Sequence, residues 1–117
     1  MVFAIETQPY TGTKNRTLSP IIATLSGNGQ PGSYDGQFIA SARVIKAAGT
    51  NGQPEVCGGI PAVSGAVNRN ATEVIFNFNN VRLQQTGRLY LEITAYEMTQ
   101  SGATEEEVVF SDIIEIR

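Results

Sequence analysis

Histidine, the side chain that most often moves protons in active sites, is missing altogether from the 117 residues. Its absence rules out Ser-His-Asp and Cys-His arrangements, the HExxH zinc motif and every histidine-ligated metal site. Cys57 is the single cysteine. It can build neither a thiolate metal cluster nor an internal disulfide, and it has no imidazole base to activate it. The string AVSGA at residues 62–66 falls short of a nucleophile elbow because alanine holds the place of the first glycine. GNGQPG at residues 27–32 matches GxGxxG and follows a strand-like run. A phosphate there would need a helix to begin at once, so that free N–H groups face the anion. Pro31 and the strand-like QFIASARVI follow instead, and the stretch reads as a turn. The acidic run at residues 105–107 is no better a site. Three adjacent carboxylates on a strand point to alternate faces, and no DxDxDG loop accompanies them. They read as solvated edge charge that discourages strand addition by neighbours. Nothing selects a glycosidase-type acid pair among the eleven carboxylates. The chain therefore reads as non-enzymatic, with no metal and no cofactor. Asn15-Arg16-Thr17 and Asn70-Ala71-Thr72 are formal glycosylation acceptors that matter only in a secreted chain.

The elements that would carry a site are strands. Residues 73–96, EVIFNFNNVRLQQTGRLYLEITAY, contain two strand-like runs joined by a short polar turn. In the second run Leu89, Leu91, Ile93 and Ala95 share one face, and Tyr90, Glu92, Thr94 and Tyr96 share the other. In the first, Val74, Phe76 and Phe78 lie opposite Ile75 and Asn77. Each large apolar side chain buried contributes roughly 1.5–3 kcal/mol, which makes this pair the expected centre of the core. Around it, Val2–Thr7 reads as a first strand closed by Gln8-Pro9, since proline cannot donate to a ladder. The polar loop TGTKNRTLSP and a short strand at 21–25 follow. After the turn-rich SGNGQPGSYDG comes a third strand, Gln37–Lys46, with Phe38, Ala40, Ala42 and Val44 on one face. A loop around AAGTNGQPEVCGG leads to a weaker segment at 60–67, and strands at 105–110 and 111–117 close the chain. No helical periodicity stands out. About seven short strands with turns between them predict one domain over residues 1–117, all-β, an antiparallel sandwich of immunoglobulin-like type.

Composition sets limits. A 117-residue chain, 41% hydrophobic, is long enough for one core and too short for two. The lone cysteine argues for a reducing compartment, with a disulfide-free secreted sandwich left open. No apolar run approaches the roughly 18 residues of a membrane span, and MVFAIETQPY lacks the pattern of a signal peptide. Residues 1–60 carry four cations against three acids, and residues 61–117 four against eight. At a net charge of −3 this is no globally basic nucleic-acid binder, so any contact with phosphates must be local.

A resemblance runs along nearly the whole chain. Gln8-Pro9, the basic pair Lys14 and Arg16, and then Leu18-Ser19-Pro20-Ile21-Ile22 before a short strand resemble the opening of the velvet domain of fungal regulators. That family has a Gln-Pro pair, a loop with several arginines and lysines, and an Arg-Pro-Ile-Asp-Pro-Pro-like entry to the next strand. QFIASARVIKAAG is similar to the family's third strand, and Gly58 or Gly59 through Ser64 to its Leu-x-Gly-x-x-x-Ser segment. FNFNNVRLQQTGRLYLEITAYEM is similar to its Phe-x-Phe-x-x-Leu-x-Val-x-x-x-Gly-x-Tyr-x-Leu-x-Phe run, and VVFSDIIEIR to its Ser-Asp-x-Phe-x-Val strand. The ordered succession carries the resemblance more than any one motif. Two departures stand out: the loop has fewer cations than the family's, and Thr17 replaces proline.

The resemblance implies a sandwich related to the DNA-binding half of Rel-type transcription factors. It also implies dimerisation with a second copy or a velvet-type partner, and a role in fungal development and secondary metabolism in nucleus and cytoplasm. DNA contacts would come from the basic loop, with Arg16 first because it matches the arginine before the Ile-x-Pro element, and Lys14 second. Arg43 and Lys46, at the far end of the third strand, are further candidates. Cations on an exposed loop are suited to neutralising phosphates or reaching a base edge. The alternative is a non-enzymatic sandwich that binds protein or glycan through its loops or a sheet edge. Tyr10, Tyr34, Tyr90 and Tyr96 would then serve as anchors, or else pack across strands.

Overall fold

The computed structural model describes residues 2–27, 36–49, 51–69 and 72–117, without the side chains of Thr99 and Glu106. Most of the GNGQPG turn, Tyr34 and the Asn70 sequon lie outside the described residues. Ten strands appear among them: β1 (Val2–Thr7), β2 (Thr11–Gly12), β3 (Ile21–Ser26), β4 (Gln37–Lys46), β5 (Glu55–Ser64), β6 (Ala66–Val67), β7 (Glu73–Phe78), β8 (Gly87–Thr99), β9 (Gly102–Phe110) and β10 (Ile114–Ile116). The described residues contain no helix long and apolar enough to cross a membrane.

The strands form two sheets, ordered β1-β3-β7-β6 and β2-β10-β8-β4-β5, with β9 also paired to β8. This order is that of an immunoglobulin-like sandwich, in which the chain passes repeatedly between the two sheets. The predicted all-β sandwich is thus the observed fold, with two corrections. Ten strands occur among the described residues where about seven are expected, and β2 pairs with β10 in parallel rather than antiparallel fashion.

The two runs expected to form the core do so across the sandwich rather than as a hairpin. Val74, Phe76 and Phe78 of β7 face inward from one sheet, and Leu89, Leu91, Ile93 and Ala95 of β8 from the other; all are buried. Leu25, Ile21 and Phe38 complete the same cluster. The intervening segment, read above as a polar turn, also buries Val81 and Leu83. Glu55–Gly59, read above as loop, is the first half of β5 and pairs with the end of β4. Gly65 turns the chain from one sheet into the other, between β5 and β6. A Cβ there would sit 2.3 Å from Val74 Cγ1 and 2.8 Å from Phe76 Cε1, so only glycine lets the corner lie on the core.

Gln8-Pro9 performs the corresponding switch after β1. Pro9 has no N–H to continue pairing with β3, and the chain crosses to the other sheet as β2. The Gln8 side chain catches the kink between β9 and β10: Asp112 N–H donates to Gln8 Oε1 at 2.9 Å, and Gln8 Nε2 donates to Pro9 O at 3.0 Å. At the same kink Leu91 N–H donates to Ser111 Oγ at 2.8 Å, so a side chain fills in for the ladder. The Gln-Pro pair and the Ser-Asp pair, 104 residues apart along the chain, therefore meet in one clamp. Gln8→Ala removes the acceptor from an exposed N–H that water can reach, so a loss of about 1 kcal/mol is expected. A thermal melt reads this as a Tm lower by a few degrees.

Candidate nucleic-acid interface

The loop at 13–18 is polar in sequence yet firmly seated. Lys14 N–H donates to Arg117 O at 2.8 Å, Asn15 N–H to Leu83 O at 2.9 Å, and Leu18 N–H to Val81 O at 2.8 Å. Leu18 is buried and anchors the loop in the core beside Ile116. Its side chain occupies the space above Gly12, where a Cβ would lie 2.2 Å from Leu18 Cδ2. Asn15 has φ of 62°, a left-handed turn conformation that asparagine adopts more readily than most residues. Lys14 and Arg16 flank it, and both are exposed. Among the described residues, neither side chain meets a carboxylate.

Folding brings further cations to this end of the sandwich. Arg82, on the 79–86 loop, bridges to Thr17, and its Nε donates to Thr17 Oγ1 at 3.1 Å. A proline at position 17 could not accept that bond. Arg117 follows β10, its N–H donating to Gly12 O at 3.0 Å. Arg88 is the second residue of β8 and lies opposite Glu115. The Lys46 stem lies beside Gly87, and Glu55 pairs with Lys46 across the β4–β5 ladder. Two arginines from the acidic half of the chain, Arg82 and Arg117, thus join Lys14 and Arg16, and Arg88 lies at the same end opposite Glu115. Sequence reasoning missed them because their proximity depends on loops far apart along the chain. The one local signal is that NNVRLQQTGR is the sole polar turn in that half holding two cations.

Arg43 is placed elsewhere. It lies mid-strand opposite Glu92, with Nη2 at 2.7 Å and Nε at 2.9 Å from the same carboxylate oxygen. Its side chain is 57% exposed, so the pair contributes about 0.2–1 kcal/mol. The four sequence candidates are therefore not one group: Lys14 and Arg16 share a loop, Lys46 lies beside Gly87 at the start of β8 and opposite Glu55, and Arg43 is engaged on the outer sheet face.

Burial pushes the Cys57 thiol up, with Lys46 pulling it back and Glu55 adding to the rise; the protonated thiol at neutral pH is a poor nucleophile. Glu105 and Glu107 lie opposite Tyr96 and Ala95, and so on opposite faces of the sheet. No group of three metal-ligating side chains occurs among the described residues. Tyr90 packs edge-on to Phe110 with ring centroids 6.2 Å apart, a cross-strand contact, while Tyr10 is exposed. No family model matches the chain, and no curated protein shows significant similarity to it. Fold and surface define a class, an immunoglobulin-like sandwich with a cationic loop end.

Proposed function

We propose that this chain is a velvet-like transcriptional regulator that binds DNA as a dimer, with a second copy or a velvet-type partner. It acts in nucleus and cytoplasm and carries no catalysis or cofactor. The observation that supports this most is the 13–18 loop. It holds Lys14 and Arg16 exposed on a backbone hydrogen-bonded at both ends, beside Arg82 and Arg117. A loop backbone held in this way need not be ordered when its cations meet phosphates. With few such contacts on a chain of net charge −3, binding is weak per protomer and salt-sensitive, and a dimer doubles the contacts.

The test is fluorescence anisotropy with labelled fungal promoter DNA at low and moderate salt, with light scattering to read the oligomeric state. Arg16→Ala is expected to weaken binding about tenfold at ~0.1 M salt, the value of one phosphate contact. No binding by the unmodified chain at ~50 mM salt rejects the proposal. A second function, a non-enzymatic module that takes a protein or glycan, is supported by a separate observation. Met98, Val108 and Phe110 are 41%, 38% and 57% exposed on the outer face of the larger sheet, where apolar groups favour a partner. In that case the DNA titration stays flat.

A further inference from the structure

We infer that the 79–86 loop forms a second wall of the same polyanion surface, with Arg82 contacting a phosphate and Thr17 orienting Arg82. This rests on the DNA-binding function proposed above. Arg82 is exposed, and its Nε is held on Thr17 Oγ1 at 3.1 Å. A guanidinium has five N–H donors in a planar fork. With Nε engaged, both Nη groups remain on the outer edge, and among the described residues no carboxylate bonds them. That edge matches two oxygens of a phosphate.

The two loops are also tied together. Thr17 directly follows Arg16, and the N–H groups of Asn15 and Leu18 bond the carbonyls of Leu83 and Val81, on either side of Arg82. Arg16 and Arg82 are therefore parts of one hydrogen-bonded unit rather than two independent arms. A phosphodiester backbone presents successive anions along a line, and two cations carried on loops bonded to each other suit such a ligand better than a single free anion. The segments 13–18 and 79–86 contain no aromatic residue, so they supply no stacking platform for unpaired bases. Their contacts are charge and amide contacts to the backbone and base edges.

The experiment titrates the full chain against a short fluorescein-labelled duplex between about 50 and 200 mM salt. Arg82→Ala is expected to weaken binding about tenfold at ~0.1 M salt and to lower the slope of log K against log salt by about 0.9. Arg82→Lys keeps the charge and hence the slope. Thr17→Val leaves every charge in place, so the slope stays while affinity falls, by less than in Arg82→Ala. Arg69→Ala, in the turn between β6 and β7 at the opposite end, changes neither. An unaltered slope and affinity in Arg82→Ala, with Arg16→Ala weakened, overturns this inference and leaves DNA binding standing. Unmodified affinity in Thr17→Val overturns the orienting role. A flat titration of the unmodified chain at ~50 mM salt removes both the inference and the function on which it rests.

Discussion

Phe76→Ala is expected to lower the free energy of unfolding by about 3–5 kcal/mol, the usual cost of removing a buried aromatic side chain and leaving its cavity. Phe76 is fully buried between the sheets, and its ring meets Phe3 edge-on at 5.9 Å between centroids. It belongs to β7 but packs into the cluster that β4 and β8 build from the other sheet, so relaxation to fill the hole would have to move both layers. A domain of this size has about 5–15 kcal/mol in all, and the variant loses a large share of it. Urea denaturation checks the loss, with a midpoint lower by more than about 1 M. Phe110→Ala is the comparison. That ring is 57% exposed on the outer face, and its removal is expected to cost less than about 1 kcal/mol. Equal losses in the two variants would show that the core does not lie between β7 and β8.

Gly65→Ala is expected to destabilise by about 1–3 kcal/mol, as overpacking does. The sign is the informative part. Alanine for glycine at an unstrained position stabilises by about 0.4–1 kcal/mol, because it restricts the unfolded chain. At Gly65 the added methyl would overlap Val74 Cγ1 at 2.3 Å, and the backbone cannot withdraw while its N–H is held by Phe38 O at 2.8 Å. At Gly59 the nearest atom is Ala42 O at 3.6 Å, an ordinary contact. Gly59→Ala is therefore expected to be neutral or slightly stabilising. Paired thermal melts should show Gly65→Ala lowered and Gly59→Ala unchanged or raised, and a stabilised Gly65→Ala would mean the corner lies away from the core.

The inward faces were legible because alternation is local. Val74, Phe76 and Phe78, and Leu89, Leu91, Ile93 and Ala95, are distinguished by residue type every second position, and each set is buried. β5 was only half legible. Pro54, Gly58 and Gly59 read as loop, and the strand lies at the edge of its sheet, where little of it is buried and no apolar alternation is required. β2 is two residues long and exists through its partner β10. Leu18, Val81 and Leu83 sit in polar surroundings along the chain and become core only when the 13–18 and 79–86 loops close over the end of the sandwich.

Residue types along the chain determined by themselves that this protein is built of strands, which faces of the longest ones turn inward, and that histidine and thiolate-cluster chemistry are closed to it. Those properties depend on neighbours one or two positions away, or on what is absent. The tertiary structure alone decided which cations keep company. Arg43 went to Glu92, 49 residues distant, and Arg82 to Thr17, 65 residues distant. Such pairings follow from sheet order and register, and a charge records nothing along the chain about the strand that will lie beside it.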